Sequence, residues 1–224
     1  MFRLTILLAL CVHVYGALPA PEVQALKDLY NSTGGPSWTH NTNWLKGDPC
    51  ENKWFGVVCH PPAPQKLSPK FLSDGQDHVY ELSLAQNNLV GTLEESFGNL
   101  EAMQWIALDI FNQLSGPMPQ SVSKLTEVTL FTIAGSFGSS AGDKFSGPIP
   151  QGICNMKKLG AHSSSSSSLL TEVLHFGANR FTSVPACDVW CNIPNCDLGH
   201  NPLKGTIPQC AQTNCHATTA NPVE

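Results

Sequence analysis

The sequence predicts an α/β fold: a short right-handed solenoid whose stacked coils share one parallel concave β-sheet, closed by a disulfide-bonded helical cap and a short C-terminal cap. Three observations predict it. A polar marker, usually Asn, recurs between apolar positions through residues 79–208. A helical, tryptophan-rich segment with two cysteines comes before those coils, and another cysteine pair follows them. Of 224 residues, 42% are hydrophobic, enough for a buried core, while only 13% are charged, about half the usual share. The surface should therefore be mostly uncharged polar. A formal net charge of −5 argues against nucleic acid, whose partners usually present a basic face.

Residues 1–16 read as a signal peptide. Arg3 gives the positive start, Leu4 to Val14 an apolar run too short to span a bilayer, and "VYG" places a cut after Gly16. Cleavage takes the net charge from −5 to −6 and, with Cys11 gone, leaves eight of the nine cysteines. An even count behind such a segment implies disulfides in an oxidising compartment, hence a secreted, extracellular protein. The tail "HATTANPVE" shows neither a membrane span nor a lipid-anchor signal.

Residues 17–78 form the N-terminal cap and its loop. Pro21 to Tyr30 reads as a helix: proline suits the first turn, Val23 and Leu26 share a face with Leu29 or Tyr30, and "STGG" ends it. Trp38, Trp44 and Trp54 then gather around Cys50 and Cys59 as an aromatic plug. A loop rich in proline and lysine, from His60 to about His78, leads into the coils.

Self-similarity over residues 79–208 defines five coils. The first carries Leu82, Leu84, Asn87, Leu89 and Gly91, and the second Ile106, Leu108, Asn112, Leu114, Gly116 and Pro119 with one extra residue before its Asn. The third has Phe131, Ile133, Phe145, Gly147 and Pro150, with Asp143 in place of Asn. Leu174, Phe176, Asn179, Phe181 and Pro185 make the fourth, and Cys196, Leu198, Asn201, Leu203, Gly205 and Pro208 the fifth. Gly/Ser-rich insertions near 134–142 and 160–168 stretch the spacing and are expected to bulge as loops. Residues 209–224 form the C-terminal cap and tail.

In such a coil, Leu82-x-Leu84 is a strand with both leucines pointing inward. Where the chain turns away, backbone groups lose their ladder partners, and leaving them unpaired costs ~1–3 kcal/mol each. An Asn amide both donates and accepts, so Asn87, Asn112, Asn179 and Asn201 are expected to form a buried structural ladder. An ionised Asp143 only accepts, which makes the third coil the weak one.

The quoted text "LSGPMP", "FSGPIP" and "LKGTIP" resembles the plant-type leucine-rich repeat family, and "LKDLYNSTGGPSWTHNTNWLKGDPCENKWFGVVC" is similar to its N-terminal cap. Together these cover most of residues 21–215. The resemblance implies a recognition module, since relatives include receptor ectodomains and inhibitors of pectin-degrading enzymes. Five coils are fewer than those relatives usually have, so no ligand or signalling role is carried over.

Cys50 and Cys59 would pin the N-terminal plug, and Cys210 and Cys215 in "CAQTNC" would close the C-terminal cap. The pairing of Cys154, Cys187, Cys191 and Cys196 is open, with Cys196, at an inward strand position, a candidate free core thiol. Zinc at "CDVWCNIPNC" with His200 is disfavoured in an oxidising compartment, so no metal or other cofactor is expected. "NST" makes Asn31 the glycosylation site.

Catalysis is not expected. "GSSAG" places Ser140 in a G-x-S-x-G pattern, but it lies in a low-complexity bulge with no helix after it. Most histidines read as scattered surface residues. The exceptions are His175 and His200, on a concave face that also presents Glu81, Trp105, Asp109, Thr132 and Asp197. Trp105 is either a recognition anchor or is covered by a neighbouring loop. Five strands at ~4.8 Å spacing give a sheet about 20–25 Å across, suited to a peptide, a short glycan or one protein loop. The expected partner is thus an extracellular protein, peptide or cell-wall glycan, with a cell-surface receptor also in view. The competing reading is a structural or adhesive matrix protein whose concave face is inert, which its small outward residues favour.

Overall fold

The computed structural model describes residues 16–59, 68–135, 144–161 and 173–219. Residues 1–15, Ser140, Asp143 and most of both Gly/Ser-rich insertions lie outside that set. The coils wind as expected. Strands β1 (Val57–Val58), β2 (Glu81–Ser83), β4 (Trp105–Ala107), β6 (Leu130–Thr132), β8 (Leu174–His175) and β10 (Cys196–Asp197) form one sheet in the order β1-β2-β4-β6-β8-β10. All neighbours are parallel except β1, which pairs antiparallel with β2. Leu82, Leu84, Ile106, Leu108, Phe131, Ile133, Leu174, Phe176 and Leu198 are all fully buried, so alternate strand residues point into a core shared from coil to coil.

A second sheet went unread in the sequence. The segments β3 (Val90–Gly91), β5 (Gln113–Pro117), β7 (Lys144–Pro148) and β9 (Arg180–Ser183) pair in parallel on another side of each coil. Three of them fall in or beside the "LxGxIP"-like text. Its period-two apolar pattern is too short to stand out, and the strand is set by stacking on its neighbours. One-turn 3-10 segments at Glu95–Asn99, Gln120–Lys124 and Gln151–Asn155 complete the coils.

The N-terminal cap is built on α1 (Ala20–Ser32), whose Ala25, Leu26 and Leu29 are buried. Trp38 meets Trp44 edge-on with ring centroids 4.8 Å apart, and Trp44 meets Trp54 at 5.0 Å. Each indole N–H finds a backbone carbonyl: Thr33 for Trp38, Phe55 for Trp44 and Lys46 for Trp54. Cys50 pairs with Cys59 beside them.

At the other end the cysteines pair differently from the expected closure of Cys210 on Cys215. Cys191 bonds Cys210, Cys196 bonds Cys215, and Cys154 bonds Cys187. The reason is helical geometry. Cys210 lies in α4 (Gln209–Asn214) and Cys215 caps it, so five residues at 3.6 per turn aim them in different directions. Cys210 reaches α3 (Val189–Asn192), and Cys215, fully buried, reaches the inward Cys196 of β10. Cys196 is therefore not a free thiol.

Candidate functional site: the concave face and its edge

The strand register lines up one row of outward residues across the sheet: Ser83, Ala107, Thr132, His175 and Asp197. Glu81, Trp105 and Leu130 form the row beside it. Glu81, Trp105, His175 and Asp197 are half-buried. Two residues expected on this face lie deeper. Asp109 is 4% exposed and Thr132 1%.

His175 Nε2 lies 3.3 Å from Asp197 Oδ2, while Asp197 Oδ1 accepts the Gly199 amide at 2.7 Å. The carboxylate lies so flat over β8's end that a Cβ on Gly177 would come within 2.2 Å of Oδ2. Burial would raise the Asp197 carboxyl, but His175, the Gly199 amide and His216 outweigh it and hold it below its usual value. Asp109 goes the other way. Its burial raises it, against the opposing pull of its own backbone, His175 and Thr132. The Thr132 hydroxyl favours the Asp109 charge without making a close hydrogen bond.

The ladder positions bound this face on one side. Asn112 Oδ1 accepts the amides of Asn87 and Leu89 at 3.2 and 2.9 Å, and its Nδ2 donates to the carbonyls of Leu84 and Leu108 at 2.9 and 2.8 Å. Asn179 accepts from Phe145 and donates to Ile133 and Phe176; Asn201 accepts from Phe181 and donates to Phe176 and Leu198. Asn87 makes the same reciprocal pair with the backbone of His40 in the cap. Each amide thus joins its own coil to the one before.

The residue before each ladder Asn is left-handed: Gln86, Phe111, Ala178 and His200 have φ between 53° and 57°. His200 therefore lies beyond β10, in the turn just before Asn201. In the second coil the extra residue puts Ile110 in the left-handed region as well, with φ 54°. That is a rare conformation for a β-branched residue. Ile110 is 41% exposed and Phe111 66%. The sequence signal was the extra residue itself, read only as an irregularity of spacing.

A further site was missed because His78 looked like one more surface histidine. It is 4% exposed, with Nδ1 2.5 Å from Glu22 Oε1 and Nε2 2.9 Å from Asp74 Oδ2. Glu22 Oε2 also accepts the Val79 amide at 2.9 Å. The trio ties α1 to the segment following α2 (Pro69–Leu72) and floors a cleft of about 390 Å³. Burial would lower the imidazole, yet its two carboxylate partners raise it above the usual value. Burial also raises Glu22 more than the Val79 amide and His78 lower it. The Gln76 amide and His78 hold Asp74 low.

Asn31 is exposed in the last turn of α1, while Thr33 of the same sequon is buried and donates to the Leu29 carbonyl at 2.6 Å. Among the described residues, no group of three or more His, Cys, Asp or Glu side chains is placed to hold a metal, and no helix is long and apolar enough to cross a membrane.

With this geometry in place, the Leucine Rich Repeat profile matches residues 78–100, which hold the first ladder Asn. This is a leucine-rich repeat fold. The chain is similar to a putative leucine-rich repeat receptor-like serine/threonine-protein kinase of Arabidopsis thaliana, 31% identical over 100 residues, covering 41% of this chain and 10% of that protein. Protein STRUBBELIG of the same plant is 27% identical over 123 residues, covering 54% of this chain and 14% of its own. The chain therefore spans a small fraction of the length of the relatives it matches. Among solved structures, the leucine-rich repeat ectodomain of the Arabidopsis receptor kinase SOBIR1 superposes with a TM-score of 0.62 over 92% of both chains at 17% identity, a likeness of fold.

Proposed function

We propose that this protein is a secreted leucine-rich repeat recognition module that binds an extracellular protein, peptide or cell-wall glycan through its concave face, without catalysis. The observation that carries the reading is the half-buried Trp105 on a sheet that also holds the His175–Asp197 pair. Such a pairing of a large aromatic with oriented polar groups, on strands locked by amides behind them, suits binding: tryptophan is enriched among interface hot spots. The receptor-like names of the similar plant proteins and the disulfides of the fold support an extracellular role. A cell-surface receptor is a natural partner for a chain of this kind.

Affinity capture from the medium of the secreting cells, followed by mass spectrometry, supplies the ligand, and Trp105→Ala tests the site. The variant is expected to lose about tenfold or more in affinity while its stability shifts by about 1 kcal/mol or less. Undiminished binding by a folded Trp105→Ala protein would favour the inert-face matrix reading, which the small outward residues Ala107, Gly177 and Gly199 support.

A further inference from the structure

Asn31-Ser32-Thr33 is a sugar-acceptor sequence that a folded protein would ordinarily carry in a surface loop. Here it closes a helix. Asn31 and Ser32 are the last two residues of α1, and Thr33 caps it. Asn31 is exposed, Ser32 half-buried and Thr33 fully buried.

Thr33 is tied to three parts of the molecule. Its hydroxyl donates to the Leu29 carbonyl, while its own carbonyl accepts the Trp38 indole N–H and the Val90 amide, each at 2.9 Å. Ser32 Oγ donates to the Thr92 carbonyl at 2.8 Å, and the Ser32 carbonyl accepts the Thr92 amide at 3.3 Å. An enzyme that attaches sugar to such a site must reach the Asn amide and the Thr hydroxyl together. In the folded chain that hydroxyl is enclosed. Freeing it would unwind the last turn of α1, unseat Trp38 and detach β3.

Asn31 also lines a groove of about 560 Å³ between α1 and the 3-10 segment Glu95–Asn99, together with Asp28, Ser32, Glu94, Glu95 and Ser96. All of these side chains are polar and none is cationic. Glu95 accepts the Gln120 and Ser121 amides at 2.9 and 2.8 Å, and Asp28 accepts Gln24 Nε2 at 2.7 Å. A carboxylate has about four lone-pair sites, so acceptor capacity is left over. The buried Ser96 Oγ has no hydrogen-bond partner among the described residues. Walls of this kind suit a ligand rich in hydroxyl groups.

We propose that Asn31 carries an N-linked glycan attached while the chain is still extended, and that folding then lays its first sugar into this groove. In the transfer, Asn31 Nδ2 bonds C1 of the first sugar as the bond from C1 to a lipid-linked pyrophosphate breaks. The pyrophosphate leaves with the electron pair, and the amide gives up one proton. After folding, Asp28 and Glu94 accept hydrogen bonds from the sugar hydroxyls. No residue of the main sheet takes part, so the concave-face reading stands or falls separately.

Two forms of the full, unglycosylated chain test the order of events: one native with its four disulfides, the other reduced and alkylated. Each is incubated with membranes holding the oligosaccharide transferase and its lipid-linked donor, then read by mass spectrometry. The reduced chain should gain one glycan on Asn31, and the native chain about tenfold less or lower still, because the site opens only with the cap. Reduced Thr33→Ala should gain none. Equal transfer to both forms overturns the proposed order, and no transfer to Asn31 in the reduced chain overturns the site. For the groove, the secreted glycoprotein trimmed to a single sugar should melt about 2–4 °C above Asn31→Gln. That gap should shrink on Glu94→Ala. Equal melting temperatures, or a gap that Glu94→Ala leaves unchanged, overturn the seating of the sugar.

Discussion

Two sets of buried polar groups hold this molecule together, and they work by different means. Along the coils, neutral amides join each turn to the one before; in the N-terminal cap, an imidazole is held between two carboxyl groups. Asn112 is fully buried, as are the groups it serves, and its four close partners are all backbone. The Glu22–His78–Asp74 trio joins side chains from separate parts of the cap, and its bonds depend on where the protons are. The repeats are thus fastened by something indifferent to pH, and the cap by something that responds to it.

The sharpest way to break the comparison is Asn112→Ala. It orphans two amides and two carbonyls at once, and with ~1–3 kcal/mol for each buried group left unpaired the loss should be about 3–5 kcal/mol after relaxation. Denaturant unfolding at pH 5 and pH 8 should give the same loss at both. A loss that varied with pH would show that the coils and the cap do not divide in this way.

Next comes Leu198→Ala, which opens a cavity between the last two coils and should cost ~2–5 kcal/mol. An unchanged unfolding midpoint would contradict the packing of that fully buried side chain.

The smallest effect belongs to the cap. His78 has its pKa raised, so the stability it contributes is complete below its ordinary value of 6.5 and is lost as pH rises through the higher folded value. Glu22, raised from 4.5, has the same sign, whereas Asp74, lowered from 3.8, gives stability that is lost only in stronger acid. Amide exchange at Val79 and Tyr80, corrected for its intrinsic pH dependence, should therefore show a looser cap at pH 8.5 than at pH 5.5. His78→Gln should flatten that difference while leaving exchange at Phe176 and Leu198 alone. A pH response that survives the substitution would place its origin elsewhere.

What could be read from the sequence was whatever repeats. Leu84, Leu108, Phe176 and Leu198 announce inward positions, and the Asn markers announce the turns behind them, because every coil solves the same packing problem. What could not be read depends on single encounters between distant segments. Glu22 and His78 are 56 residues apart, with nothing in either neighbourhood to betray the other. The partners of Cys196 and Cys210 follow from how α4 is turned, which cysteine spacing does not reveal. At the proposed site, the strand columns were legible, but the depth of Asp109 and Thr132 was not, since it depends on what other coils bring against them. Ile110 and Phe111 were visible as an irregularity, and only the backbone shows that both face outward.

The way the main sheet ends has a consequence for how the molecule behaves in company. An unprotected outer strand invites a neighbour to dock along it and the next to follow. Here β1 lies antiparallel across one margin, and at the other the Leu198 amide is taken by the Cys215 carbonyl at 2.7 Å, on a segment clamped by the Cys196–Cys215 bond. Neither margin thereby presents an open parallel strand: one ends on the two-residue antiparallel β1, the other is covered by the Cys215 segment. Reducing that last bond would loosen the segment that covers β10 and expose that margin of the sheet to a neighbour.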